Sequence, residues 1–334
     1  MQFALTDEQR MLQDSVDRFI ERDYDFEHRR ALIATDEGFS DKHWKTFAEL
    51  GWLGVPFSEE QGGYGGGLVE AGLILEGFGR GLVVEPYLWT VVLGGGLLSL
   101  AGRDDLLAEV IAGDLQLAFA FAEPQSRYDL ADVQTRAEKD GGGFKLTGHK
   151  AVVFNAPAAG RIIVPARTAG DRRDAEGISL FLVDPAAAGV SLRGYPTVDG
   201  LRAAEVELDG VSVGDDALLG AVDKGYPLFE TVVDRATAAL ACEAVPHRLP
   251  AALRQGRTQQ PPAGTARGQS VRQVDVRPTL AQQQEGTLIR RQRLELHGSG
   301  DRRQHVAGEK PVHRAMVTQR CRSSPGIWPP APAW

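Results

Sequence analysis

The spacing of apolar residues changes twice along this chain of 334 residues, and those two changes restrict its architecture more than any other feature. Up to about residue 113 the apolar positions recur at the helical period of 3.6, near Leu115 the period falls to 2, and near Leu228 it returns to helical. Thr6-Asp7-Glu8-Gln9 has the Ser/Thr-x-x-Glu/Gln form of a capping box. It opens a helix whose Met11, Leu12, Val16, Phe19 and Ile20 lie on one stripe. Further helices are expected over 40–50, 68–78, 86–100 and 106–111, and strands over 117–122, 133–139, 144–154, 162–168, 178–183 and 203–213. Asp140-Gly141-Gly142 reads as a hairpin turn. A last helix spans 228–245. The expected class is α+β: an all-α N-terminal domain over 1–113, an antiparallel β-barrel or sandwich over 114–222, and one helix of a truncated C-terminal bundle over 223–245.

At Val245 the chain changes character. Residues 1–245 hold 22 Lys and Arg against 40 Asp and Glu, a balance of −18, whereas residues 246–334 hold 15 against 5, a balance of +10. All 13 Phe and all 6 Tyr precede the change, and 10 of the 18 Pro follow it. The tail carries fourteen Arg to a single lysine, Lys310, and shows neither helical nor strand spacing. Three readings stand: a disordered basic tail, a nucleic-acid-binding arm, and a shifted reading frame in a GC-rich gene. The arm is disfavoured because no Phe or Tyr is interleaved with the arginines. The frame shift accounts best for the Arg, Pro, Ala and Gln mixture.

Several function classes are set aside by composition. Cys242 and Cys321 cannot make a disulfide framework, which points to a reducing cytoplasm. No basic segment precedes an apolar run at the start, so secretion is not expected. The longest apolar stretch, 82–101, is broken by Glu85, Pro86 and Gly94-Gly95-Gly96, which argues against a membrane span. The net charge of −8 argues against nucleic acid for the chain as a whole. His28, His43 and His149 are far apart in sequence and there is no Cys-x-x-Cys, so no metal site is expected. No Gly-x-Gly-x-x-Gly joins a strand to a helix, so a Rossmann cofactor site is not indicated either.

Residues 44–67 read WKTFAELGWLGVPFSEEQGGYGGG: an amphipathic helix ending at Gly51, a short apolar run to Pro56, then an acidic step into a glycine loop. Residues 119–124 read FAFAEP, and the strand near 150 reads GHKAVVFNA. Together these segments resemble the acyl-CoA dehydrogenase family. The likeness is greatest to the small subunit of pimeloyl-CoA-type members, through FAELGWLGVPFSEEQGG, VVEPYLWTVVLGGG, SRYDLADVQT and GYPTVDGLRAAEVELDGVSVG. It covers residues 1–245. Near the C-terminus, Ile327-Trp328-Pro329 read one base earlier can encode Leu-Ala after His, which such chains commonly carry.

The resemblance implies that two strand ends hold the isoalloxazine ring of FAD. Backbone amides and a hydroxyl would bond the ring edge while an aromatic shields one face. Carried over position by position, the family's threonine becomes Ala122, its shielding tryptophan Val152, its second threonine Phe154, and its Gly-Ser turn Arg127-Tyr128. Phe119 and Phe121 complete the cofactor-binding candidates. Glu123, Pro124, Asp129, Gly148, Lys150 and Asn155 match the family pattern. Loss of two hydroxyls and an indole face removes roughly 2–5 kcal/mol of ring-specific interaction.

The implied reaction is α,β-dehydrogenation of an acyl-CoA: a carboxylate takes the α-proton, the β-hydride passes to the flavin, and an electron-transfer flavoprotein collects the electrons. No residue can be assigned as that base, since Glu285, Glu295 and Glu309 lie in the tail. Arg235 matches an arginine near the family's active centre and is the substrate-binding candidate, with a helix-surface arginine as the plain alternative. The expectation is a subunit that is inactive alone and pairs with a large acyl-CoA dehydrogenase subunit. The alternative is a non-catalytic chain that only stabilises that subunit.

Overall fold

A computed structural model describes residues 4–248. The expectations for the tail lie outside the described residues, except that the last helix runs three residues past the change of composition. The N-terminal part is helical: α1 (Asp7–Asp23), α2 (Phe26–Ile33), α3 (Asp41–Glu49), α4 (Leu68–Gly81), a π-helical stretch Leu88–Gly95 continuing into α5 (Gly96–Leu100), and α6 (Asp104–Ile111). The capping box forms as expected, with Gln9 N donating to Thr6 Oγ1 at 3.2 Å and Thr6 N to Gln9 Oε1 at 2.9 Å. Gly51 ends the turn after α3 with φ 78°, the left-handed conformation that terminates helices. The α2 helix was not anticipated, because it buries none of its residues and so leaves no apolar stripe to read.

Eight strands form one sheet: β1 (Leu117–Phe119), β2 (Arg136–Asp140), β3 (Gly143–Phe154), β4 (Arg161–Arg167), β5 (Ile178–Val183), β6 (Val190–Pro196), β7 (Arg202–Gly214) and β8 (Leu218–Leu219). The order is β6-β7-β3-β2-β4-β5-β8. Most neighbours are antiparallel, but β1 pairs in parallel with β4, and β2 touches β4 in parallel at Arg136 and Arg167. The strand β6 escapes the sequence because it lies half-exposed at the sheet edge, where no alternation is required. Behind the sheet, Phe144 and Phe181 pack 5.0 Å apart among Leu146, Val164, Val206 and Val211.

The last helix, α7 (Gly225–Arg248), lies along α4. Their approach is close enough that a Cβ on Gly79 would meet the Glu243 carbonyl at 2.0 Å, so only glycine fits there. Three residues later, Leu82 closes α4 in the left-handed region with φ 54° and is 38% exposed. A leucine pays for that conformation where glycine would not, so Leu82→Gly should raise stability by about 1 kcal/mol. Urea denaturation reads the gain directly, and a lowered midpoint would refute it.

Candidate functional site

Two chain segments meet where β1 runs out and β3 ends. The Ala151 amide donates to the Ala122 carbonyl at 2.9 Å, joining them. Next to Ala122, the buried Glu123 carboxylate takes the Lys150 ammonium at 2.7 Å, the Thr135 amide at 3.1 Å, the Gln134 amide at 2.8 Å and the Gln125 amide group at 2.7 Å. The side chains of Lys150 and Glu123 are 0% and 2% exposed, so the pair is dry. On the far side, Asn155 donates to the Leu117 carbonyl at 3.1 Å and to the Thr90 hydroxyl at 3.3 Å. Thr90 lies in the π-helical stretch, and its hydroxyl also bonds the backbone of Leu117.

The electrostatics follow from this packing. Burial pushes the Glu123 carboxyl up, but Lys150 and the other donors outweigh it and hold the group at about 2. Burial lowers the Lys150 ammonium, and Glu123 offsets this only in part. Asp132, gripped by Arg172 first and also by Arg173, is likewise held at about 2. A carboxyl depressed from the ordinary 4.5 contributes its full stabilisation above that value and loses it as pH falls towards 2. The melting temperature should therefore decline across that acid window, and Glu123→Gln should flatten the decline. An unchanged pH profile in the variant would count against this assignment.

The candidate residues separate into groups. Phe119 is 3% exposed and packs into the core against Phe121 at 5.3 Å and Phe229 of α7 at 5.9 Å. Phe121, Ala122 and Phe154 are half-buried at the two strand ends. Val152 stands in a β-bulge with φ 52°, 47% exposed, an unfavourable conformation for a β-branched residue. Arg127 is also left-handed, at φ 49°, and the neighbouring Tyr128 is 99% exposed. Arg235 lies apart from these, on a cavity of about 340 Å³ with Phe57, Leu68, Val91, Val92 and Ser99.

Two contributors were not legible beforehand. Trp89 stacks on Phe154 with ring centroids 4.2 Å apart and planes 4° from parallel. Arg167 is buried and donates to the carbonyls of Ala131, Val133, Arg172, Asp174 and Glu176, tying the loop after Glu123 to the sheet. Only the run Glu85-Pro86-Tyr87-Leu88-Trp89-Thr90 marked the first, and nothing marked the second. The amides of Phe121 and Ala122 donate to no described residue, although the Ala120 amide just before them bonds Ile163 at 2.8 Å. A half-buried edge of free N–H groups suits the acceptor edge of a planar heteroaromatic ring. The residues present thus fit a flavin through backbone, whereas Ala122, Val152 and Phe154 offer it no hydroxyl.

This chain belongs to the acyl-CoA dehydrogenase family. The family's N-terminal domain matches residues 6–113 and its middle domain matches residues 118–211. It is similar to the probable acyl-CoA dehydrogenase YngJ of Bacillus subtilis, 30% identical over 254 residues, covering 73% of this chain and 66% of that protein. It is also similar to the benzylmalonyl-CoA dehydrogenase of Aromatoleum aromaticum, 31% identical over 224 residues, covering 64% of this chain and 58% of the relative. The chain thus spans less than two thirds of these curated relatives. Among solved structures, the ChsE4-ChsE5 complex from Mycobacterium tuberculosis superposes with a TM-score of 0.66 at 25% identity, covering 79% of this chain and 70% of that one. Among the described residues, no helix is long and apolar enough to cross a membrane.

Proposed function

We propose that this chain is one subunit of a hetero-oligomeric acyl-CoA dehydrogenase and is inactive alone. The observation that carries the proposal is the state of the two strand ends: the backbone edge is intact, but its side-chain donors are replaced by Ala122, Val152 and Phe154. FAD, when bound there, supplies the hydride acceptor for α,β-dehydrogenation of an acyl-CoA thioester. Phe121 and Ala122 would hold the ring edge through their amides, and Arg127 and Tyr128 would flank it. Arg235, exposed on its cavity beside Phe57, Leu68 and Val92, would meet the acyl-CoA.

The carboxylate at this edge does not qualify as the base. Glu123 is locked to Lys150 with its carboxyl near 2, far from the value suited to proton abstraction at neutral pH. The name of the ChsE4-ChsE5 complex describes a two-chain assembly of the same fold, which supports a large acyl-CoA dehydrogenase subunit as partner. An electron-transfer flavoprotein would take the electrons, and the setting would be cytoplasmic. The missing hydroxyls also favour a second reading, in which the chain stabilises the large subunit and holds no flavin.

Purified alone, the chain should come off a column colourless and should not oxidise acyl-CoA. Co-expressed with its large subunit, the pair should reduce an electron acceptor. Two flavins per pair support the first reading and one supports the second. A chain that is stoichiometrically yellow and turns over alone would refute both.

A further inference from the structure

We propose that the cavity over the outer face of β2 and β3 binds a phosphate dianion, free or as the monoester of a small molecule, through Arg136, Lys145 and Thr147. The cavity has a volume of about 610 Å³, and Glu123, Pro124 and Gln125 line one part of it. It shares no lining residue with the Arg235 cavity and includes none of the ring-edge candidates. The flavin and subunit assignments above can therefore fail without touching it. Three observations carry the proposal.

The first is placement. Side chains alternate across a strand, so Arg136 and Glu138 of β2 share the solvent side with Lys145, Thr147 and His149 of β3. Their neighbours Ala137, Leu146 and Lys150 are buried on the opposite side. The pairing sets Arg136 directly opposite Thr147, and Glu138 opposite Lys145. A guanidinium, a hydroxyl and an ammonium thus border one concave surface. The second observation is that both cations are uncommitted. The side chains of Arg136 and Lys145 make no hydrogen bond or ion pair with a described residue. The carboxylates around them are occupied: Glu123 holds Lys150 at 2.7 Å, and Glu205 takes His149 Nε2 at 2.8 Å and the Tyr195 hydroxyl at 3.0 Å. Of the described lining carboxylates, that leaves Glu138 against two cations. The third is the match in chemistry. Arginine offers a planar fork for two phosphate oxygens, lysine a point charge and threonine a further donor. A phosphate monoester brings about two negative charges and three acceptor oxygens to meet them. A cavity within the usual ligand range of roughly 300–1,000 Å³ also leaves room for the group that carries the phosphate.

Calorimetric titration of the full chain with inorganic phosphate, AMP and adenosine, at fixed ionic strength, tests the site. Phosphate should bind saturably and adenosine should not. AMP binding tighter than phosphate would identify a monoester as the occupant, and AMP binding no tighter would identify free phosphate; either supports the shared chemistry. Arg136→Gln and Lys145→Gln should each weaken phosphate binding about tenfold. Arg136→Lys should lose only about threefold, because it keeps the charge and gives up the fork. Arg193 of β6, exposed and outside the cavity, provides the control, and Arg193→Gln should stay within about twofold of wild type. Every substituted position is exposed, so melting temperatures should be unchanged. A wild type that does not saturate with phosphate would overturn the site, as would full affinity in a folded Arg136→Gln/Lys145→Gln chain. An equal loss in Arg193→Gln would also overturn it, by showing a general attraction to surface charge.

Discussion

Replacing Lys150 by methionine should destabilise the chain by about 3–5 kcal/mol, the usual consequence of leaving one half of a buried ion pair unpaired. The Glu123 side chain is 2% exposed, so bulk water replaces the lost ammonium poorly. Its remaining donors, the Gln134 and Thr135 amides and the Gln125 side chain, are neutral. The double variant Glu123→Gln/Lys150→Met should recover part of the loss: it removes the uncompensated charge, but the Gln134 and Thr135 amides donate to different carboxylate oxygens, and a glutamine oxygen can replace only one of them. Urea denaturation of the single and double variants gives the comparison. A single variant within 1 kcal/mol of wild type would show that the pair contributes little to holding the two strand ends together.

Phe47→Ala should cost a similar amount, about 3–5 kcal/mol, through a cavity at the centre of the helical domain. Phe47 is 0% exposed and touches four other rings: Phe19 at 5.2 Å, Trp44 at 6.4 Å, Trp52 at 5.1 Å and Phe78 at 5.0 Å. Those rings come from α1, α3, α4 and the turn after α3, so collapse around the missing ring would require several elements to shift at once. Phe47→Leu should lose less, since most of the volume is kept. Equal losses in the two variants would mean that ring–ring geometry, not volume, dominates there.

Both residues illustrate how far the sequence could be read. Phe47 was legible as a core position because Trp44, Phe47 and Ala48 share one face of a capped helix, and helical spacing needs no tertiary information. Glu123 and Lys150 were legible only through the family pattern. Their 27-residue separation says nothing of a 2.7 Å contact, which arises because β3 returns beside the end of β1. The absent hydroxyls at Ala122 and Phe154 were likewise plain in the sequence, whereas the ring occupying Phe154's face was not.

The sequence by itself determined the order of most helices and strands and the core positions Val16, Phe19 and Phe47. Each is a property of residue type at short spacing, where the period of the backbone dictates which side chains share a face. Only the tertiary structure decided which strand ends meet, that Val152 sits at φ 52° in a bulge, and that Arg167 is caged by carbonyls. It also brought Trp89 onto Phe154 across 65 residues of chain. Those outcomes depend on long-range packing, whose partners are chosen by shape and by satisfying buried polar groups, and neither is written in local periodicity.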